Sequence, residues 1–130
     1  RVHVGPVHLA SLREGLAAAA FGQEYVAQAP VAIVVCADAE QSAARYRERG
    51  RELYCLQDTA AAATHILLAA VALGLGSCWI GAFDERQAAA VLDLPARHRP
   101  VAILPIGRPA GERGSATPRE PLESVATFLG

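Results

Sequence analysis

The stretch Gln57–Ser77, QDTAAAATHILLAAVALGLGS, decides the fold, because it forms most of a long helix with almost no polar face. Apolar residues recur three and four positions apart, and residues such as Ile66 and Leu68 make the other sides apolar too. A helix that is apolar nearly all round must be buried, either in a domain core or in a subunit interface. The pattern predicts a helix over Arg51–Leu73, ended by Gly74 and Gly76 as C-cap glycines.

Two apolar runs on either side of this helix predict the main strands of a sheet. Val31–Ala37, VAIVVCA, is rich in β-branched residues and is typical of a strand buried on both faces. Arg99–Gly107, RPVAILPIG, predicts a second strand, in which Pro105 requires an edge position or an irregularity. Between them, Ser77–Phe83 predicts a short strand followed by a tight turn at Gly81.

Shorter helices complete an α/β or α+β pattern around one sheet. Asp38 and Asp84 are side chains that commonly cap helix N-termini, and Gly50 is a plausible helix stop. No internal repeat or domain boundary is visible. The remaining predicted elements are a strand tail at Arg1–Val7, helices over His8–Ala20, Asp38–Arg49 and Asp84–Leu92, a short helical turn after Gly22 up to Ala29, and a last helical turn within Pro121–Leu129.

Composition indicates one globular domain of 130 residues, 52% hydrophobic and 19% charged. A net charge of -1 favours neither nucleic acid nor a membrane surface. The sequence has three cysteines, an odd number, and no CxxC motif. This pattern does not indicate a disulfide framework and favours a reducing cytoplasm. Every long apolar run is interrupted by glycine or polar residues, so no segment is expected to span a bilayer. Because the first residue is Arg1, we expect a fragment or a processed product.

Catalytic chemistry is not visible in the residues themselves. A dinucleotide-binding loop needs a strand before its glycines and a helix after them, whereas here a long helix precedes Gly74. The four histidines form no metal-type cluster by sequence spacing, and His65 is expected to be a hydrogen-bonded core or interface histidine. Enzymes whose difficult chemistry belongs to a cofactor need only binding, orientation and electrostatic tuning from the protein. The sequence therefore favours a cofactor-dependent site, with no side chain predicted to be catalytic.

Gly81 is the glycine whose position favours a ligand. It follows Trp79 and Ile80 at a predicted strand end, where the absence of a side chain lets the main chain approach a ligand closely. A bulge or turn glycine without a ligand remains the alternative interpretation at this point.

The segment from Tyr54 to Pro109 resembles the nitroreductase family. The central helix with its ALGLGS end, the CWIGAFD strand and turn, the VLDLP helix end and the RPVAILPIGRP strand occur in the family's order and spacing. Upstream, APVAIVVCAD is similar to the family's first central strand. The likeness covers roughly residues 20–125, which is most of the chain.

This resemblance implies an α+β fold, a three-layer α/β/α sandwich with the long central helix at a homodimer interface. The 130 residues would form one nitroreductase-like domain. The implied activity is that of a cytoplasmic FMN-dependent oxidoreductase, which transfers hydride from NAD(P)H through the flavin to a nitro compound, a quinone or a related small acceptor. No metal, nucleic acid or membrane is implied.

The resemblance also assigns the residues expected to bind FMN. Main-chain N–H groups of Gly81 and Ala82 would face N5 and O4 of the isoalloxazine, and Trp79 and Ile80 would flank the ring. Arg119, in TPREPLESV, matches a basic residue that pairs with the FMN phosphate. Thr117 stands where many members carry a second basic residue.

The family's N-terminal flavin-binding segments have no counterpart in this sequence, so we expect that part of the domain to be missing. This departure keeps two other functions open. A chain without those segments could serve as a non-catalytic flavin-binding or dimerisation module. Alternatively, GQEYVAQAPVAIVV and RYRERGRELY have some similarity to the azoline-oxidising branch, and dehalogenases share the fold.

Overall fold

The two apolar runs form the two inner strands of a four-stranded antiparallel sheet. A computed structural model of the protein describes residues 2–111 and 118–127. The strand order is β1-β2-β4-β3, and β2 pairs with β4 from Val31↔Ile106 to Asp38↔His98 with one irregularity at Val35/Cys36. The strands are β1 (Val2–Val7), β2 (Val31–Asp38), β3 (Gly76–Ser77) and β4 (His98–Gly107).

Within the described residues, six α-helices connect or flank these strands, in the order that the sequence predicts. They are α1 (Ala10–Ala19), α2 (Tyr25–Gln28), α3 (Ala39–Arg49), α4 (Cys55–Ala72), α5 (Glu85–Val91) and α6 (Leu122–Val125). Asp38 and Asp84 cap α3 and α5 as expected, because each Oδ1 accepts a hydrogen bond of 2.9 Å from the main-chain N–H three residues later.

The sheet is covered on both faces, which confirms the three-layer α+β architecture. On one face, α1, α2 and α5 pack against the sheet around fully buried Leu16, Val26 and Ile103. On the other face, α4 packs through Ala63 onto Leu104 and its neighbours. Successive residues of a strand point to opposite faces, so β4 contributes to both clusters.

Gly50 does not stop a helix, contrary to the sequence-based expectation. The chain instead turns at Arg47, whose φ of 53° and ψ of -137° lie outside the helical region. Gly50 has helical torsions and begins a π-helical segment, Gly50–Tyr54, that runs directly into α4. A Cβ at Gly50 would lie 2.5 Å from the carbonyl oxygen of Ser42. Glycine is required here by close approach of two main-chain segments rather than by a helix end.

Pro105 interrupts the ladder between β3 and β4. Gly76 pairs with Gly107 and Ser77 with Ile106, and an isolated bridge in the same register joins Ile80 to Ile103. On the side of β4 that faces β3, the described residues form no ladder pair at Leu104 or Pro105, since proline has no N–H to donate. The expected irregularity is confirmed, and the predicted strand over Ser77–Phe83 is reduced to β3 and this bridge.

Helix α4 buries one side and exposes an apolar one. Thr59, Ala63 and Ala70 face the interior, whereas Leu68 is 62% exposed and Leu73 is 76% exposed. The helix ends as predicted at Gly74, whose φ is +70°. The N–H of Gly74 donates to Val71 O, and the N–H of Leu75 donates to Ala70 O at 2.8 Å, the pattern of a Schellman cap.

Two properties of α4 differ from expectation. His65 is hydrogen-bonded as expected, with its Nδ1 2.7 Å from Ala61 O, but it is exposed rather than part of this chain's core, and its place at an interface stays a prediction. The continuous helical segment Ala39–Ala72 contains a window that is long and apolar enough to cross a bilayer by length and composition alone. Only 22% of that window is buried within the chain. The same test also selects core helices of soluble proteins.

Candidate functional site

The segment Trp79–Phe83 is a turn fixed firmly at both ends. On one side, Ile80 exchanges two main-chain hydrogen bonds of 3.0 Å with Ile103 of β4. On the other side, the N–H of Asp84 donates to Ala19 O at the end of α1, at 2.9 Å. Phe83 packs against the larger core cluster. The residues between these anchors therefore have a defined position relative to the sheet.

The two central residues of the turn offer unused hydrogen-bond donors. Gly81 and Ala82 are both exposed. Within residues 2–111 and 118–127, neither of their N–H groups donates a hydrogen bond. Two consecutive main-chain donors on a fixed turn, without an acceptor in the chain, can bind an acceptor atom that carries partial or full negative charge.

Trp79 lies directly against Gly81. A Cβ at Gly81 would be 3.3 Å from the indole Nε1, closer than an ordinary contact. The indole is 39% exposed. Glycine therefore lets a large aromatic surface lie beside the two free donors, and a flat apolar ligand can contact both.

Ile80 has a different environment from its neighbours in the turn. Its side chain is only 3% exposed and belongs to the core cluster. Both of its main-chain polar groups are already bonded to Ile103. Ile80 therefore anchors the turn to the sheet, and in this chain its side chain presents almost no free surface.

A cleft of about 300 Å³ opens where Pro105 interrupts the ladder; Cys78, which precedes the turn, lines it, but Trp79–Phe83 do not. Cys78 and Arg108 line it, and the sequence analysis identified neither as a site residue. Cys78 is exposed, unlike the buried Cys36 and Cys55. Burial, followed by the neighbouring Cys78, raises the pKa of Tyr25, another lining residue, above its usual value. The volume falls at the lower end of the range for small-molecule sites.

Arg119 is exposed and lies shortly before α6. The turn residues Trp79–Ala82 are contiguous, whereas Arg119 belongs to a later part of the chain. Thr117, where the resemblance predicts a second basic residue, lies outside the described residues. Arg108 lies in the cleft because β3 pairs with β4. Its position directly after Gly107, the last residue of β4, is the sequence signal that could have identified it.

The three-layer α+β sandwich, the long central helix with an exposed apolar side and the donor-bearing turn together define the nitroreductase fold class. The family model described as "Nitroreductase family" matches residues 3–108. The chain belongs to the nitroreductase family, as its motifs indicate.

Relatives and solved structures agree with this assignment. A protein of Thermus thermophilus named NADH dehydrogenase is 31% identical over 143 residues, covering 89% of this chain and 69% of its own. NfrA1 nitroreductase from B. subtilis superposes with a TM-score of 0.81 at 27% identity, covering 97% of this chain and 56% of its own. NADPH:FMN oxidoreductase from Vibrio harveyi, in complex with NAD+, gives a TM-score of 0.84 at 27% identity, covering 98% and 58%.

The chain spans about half the length of several curated relatives that it matches. The covered share is 46% for two archaeal relatives and 52% for a third. The activity, substrates and partners of the whole protein are therefore matters for proposal.

Proposed function

We propose that the protein is an FMN-dependent oxidoreductase that transfers hydride from NAD(P)H to a small acceptor such as a nitro compound or a quinone. One observation carries this proposal: the exposed turn at Gly81–Ala82 presents two unused N–H donors beside an indole surface. The names of the relatives agree with it, since one is an NADH dehydrogenase and another an NADPH:FMN oxidoreductase.

The residues present fit one edge of an isoalloxazine ring. When bound, FMN supplies two-electron transfer between NAD(P)H and the acceptor. The N–H groups of Gly81 and Ala82 would donate to the N5 and O4 edge. Donors fixed in advance stabilise negative charge where it accumulates, and they do so without reorganisation of the protein.

The neighbouring residues would hold this arrangement in place. Ile80 positions the turn through its core side chain and its two hydrogen bonds to Ile103. Trp79 would provide an apolar wall that excludes water from one side of the ring. The chain's contribution is thus binding, orientation and electrostatics.

Two arginines are candidates for binding the FMN phosphate. Arg119 matches the family's basic residue, and Arg108 lines the cleft. The planar guanidinium can bind two phosphate oxygens at once, which suits either residue for this role. We propose Arg119 as the principal phosphate ligand.

The exposed side of α4 supports a homodimer. Leu68 and Val71 on α4, and Leu73 directly after it, are 62%, 54% and 76% exposed, while Ala63 of the same helix packs on the sheet. A contiguous apolar surface of this kind marks an interaction site more often than a solvated face. In the proposed dimer, a second copy covers this face and both chains contribute to each flavin site.

The experiment is to titrate the purified protein with FMN and follow flavin fluorescence, and then to measure NAD(P)H oxidation with a nitro compound or a quinone. We expect FMN binding and acceptor-dependent oxidation. Arg119→Ala should weaken FMN binding, whereas Arg86→Ala, an exposed arginine on α5, should not. Failure of the folded protein to bind added FMN would refute the proposal. FMN binding without oxidation of either nucleotide would favour the non-catalytic flavin-binding module instead.

A further inference from the structure

Three strands bring two histidines and an aspartate together at one end of the sheet. His3 lies on β1, Asp38 ends β2 and His98 begins β4. Asp38 pairs directly with His98, and His3 pairs with Cys36, two residues before Asp38. Residues two apart on a strand, and residues paired across strands, share one face of a sheet. All three side chains therefore meet on the same face.

The donor atoms of the three side chains converge. The Nε2 atom of His3 lies 3.7 Å from Asp38 Oδ2, and the Nε2 atom of His98 lies 3.9 Å from the same oxygen. One donor atom from each residue falls within 4.8 Å of the other two. The other carboxylate oxygen, Oδ1, accepts the N-cap hydrogen bond from Gln41, so Oδ2 is left facing the histidines.

The converging atoms of these three side chains are buried, and some of them lack a hydrogen-bond partner among the described residues. Asp38 is 3% exposed. The Nε2 atoms of His3 and His98 are both buried and have no hydrogen-bond partner in the part of the chain that the structure describes. Buried polar atoms are nearly always paired in folded proteins, so two such atoms around one carboxylate indicate a partner that binds all three groups.

We propose that His3, Asp38 and His98 bind one divalent transition-metal ion of the zinc class. Two imidazole nitrogens and one carboxylate oxygen form a donor set that Zn²⁺ accepts. Metal–ligand bonds of about 2.0–2.1 Å place tetrahedral ligand atoms roughly 3.3 Å apart. The two separations to Asp38 need to shorten by only about half an ångström, and His3, with 37% of its side chain exposed, is able to move.

The surroundings are compatible with a bound cation. Burial, then the nearby His3 and Arg97, lower the pKa of His98, and the nearby Asp38 opposes this shift. Arg97 lies 3.9 Å from Oδ2, but its side chain is 64% exposed and can turn into solvent. Among the described residues, the donor atoms that converge here belong to His3, Asp38 and His98 and not to Cys36.

The metal site would be separate from the flavin turn. Three protein ligands leave a fourth position for water, and a surface cavity lined by His3, Asp38, Gln41 and Arg97 provides access. The metal site lies at His98, the first residue of β4, whereas the flavin turn pairs with Ile103 through Ile80. These two positions on β4 are roughly 16 Å apart at about 3.3 Å per residue. Binding would join β1, β2 and β4 at one end of the sheet.

The test is isothermal titration of the untagged, EDTA-dialysed protein with Zn²⁺, together with visible absorption after Co²⁺ addition. We expect one ion per chain. Asp38→Asn and His98→Gln should each weaken Zn²⁺ binding at least tenfold and remove the Co²⁺ bands. Asparagine retains the helix cap, so Asp38→Asn changes mainly the charge. His8→Gln, an exposed histidine outside the cluster, should leave both measurements unchanged.

Three results would overturn the proposal: no stoichiometric binding, binding that survives Asp38→Asn and His98→Gln, or equal loss in His8→Gln. If His98→Gln does not fold, His3→Gln provides the same comparison at a more exposed position. None of these measurements depends on flavin or on enzymatic activity, so the result is independent of the proposed oxidoreductase function.

Discussion

Replacing Gly81 with valine should weaken FMN binding while leaving the fold nearly intact. A Cβ at this position would already be 3.3 Å from the Trp79 indole Nε1, and the two γ-carbons of valine need further room. The indole is 39% exposed, so it can rotate away. The free energy of unfolding should therefore change by less than about 1 kcal/mol, as for most surface substitutions.

The effect on the ligand should be larger, because the displaced indole and the new side chain block approach to the Gly81 N–H. The N5 and O4 atoms of oxidised FMN are uncharged, and a hydrogen bond between uncharged groups contributes up to about 1.5 kcal/mol, which corresponds to an increase in the Kd for FMN of up to about 13-fold. Flavin fluorescence titration measures the Kd, and urea unfolding measures stability. Gly111→Ala is the control, because a Cβ there meets nothing within 4 Å. An unchanged Kd in a folded Gly81→Val variant would refute the reasoning.

Three further outcomes follow from the structure. Leu68→Glu should turn the proposed dimer into monomers in light scattering, whereas Leu9→Glu, 65% exposed but outside α4, should not; a dimer in both would argue against the α4 interface. Asp84→Ala should lower the unfolding free energy by about 1 kcal/mol in urea while Asp84→Asn stays within a few tenths, and equal loss in both would exclude the capping explanation. In EDTA, the free energy of unfolding should fall as the pH drops below about 6.5, because burial lowers the pKa of His98 and the unfolded chain therefore binds a proton at this residue first. This fall should be smaller in His98→Gln, and an identical pH profile in both proteins would contradict the prediction.

The elements with a strong local pattern were predictable from sequence. The apolar run of β2, the central helix with its Gly74 cap and the Asp38 and Asp84 caps depend on periodicity and on cap chemistry within a few residues. The family motifs added the layer order. Tertiary contacts were not needed for these predictions.

Features that depend on contacts between distant segments were not predictable. Gly50 was interpreted as a helix stop because glycine is common there, but the carbonyl of Ser42 packs against it. The burial of Ile80 depends on its bridge to Ile103, and the meeting of His3 with His98 depends on strand order. Sequence spacing carries no information about such neighbours until the sheet is assembled.

The most direct test is an experimental structure of the protein with FMN bound. The proposal predicts that the N5 and O4 edge of the isoalloxazine lies within about 2.7–3.2 Å of the N–H groups of Gly81 and Ala82, with the Trp79 indole beside the ring. A bound flavin elsewhere, with both N–H groups still facing solvent, would contradict it.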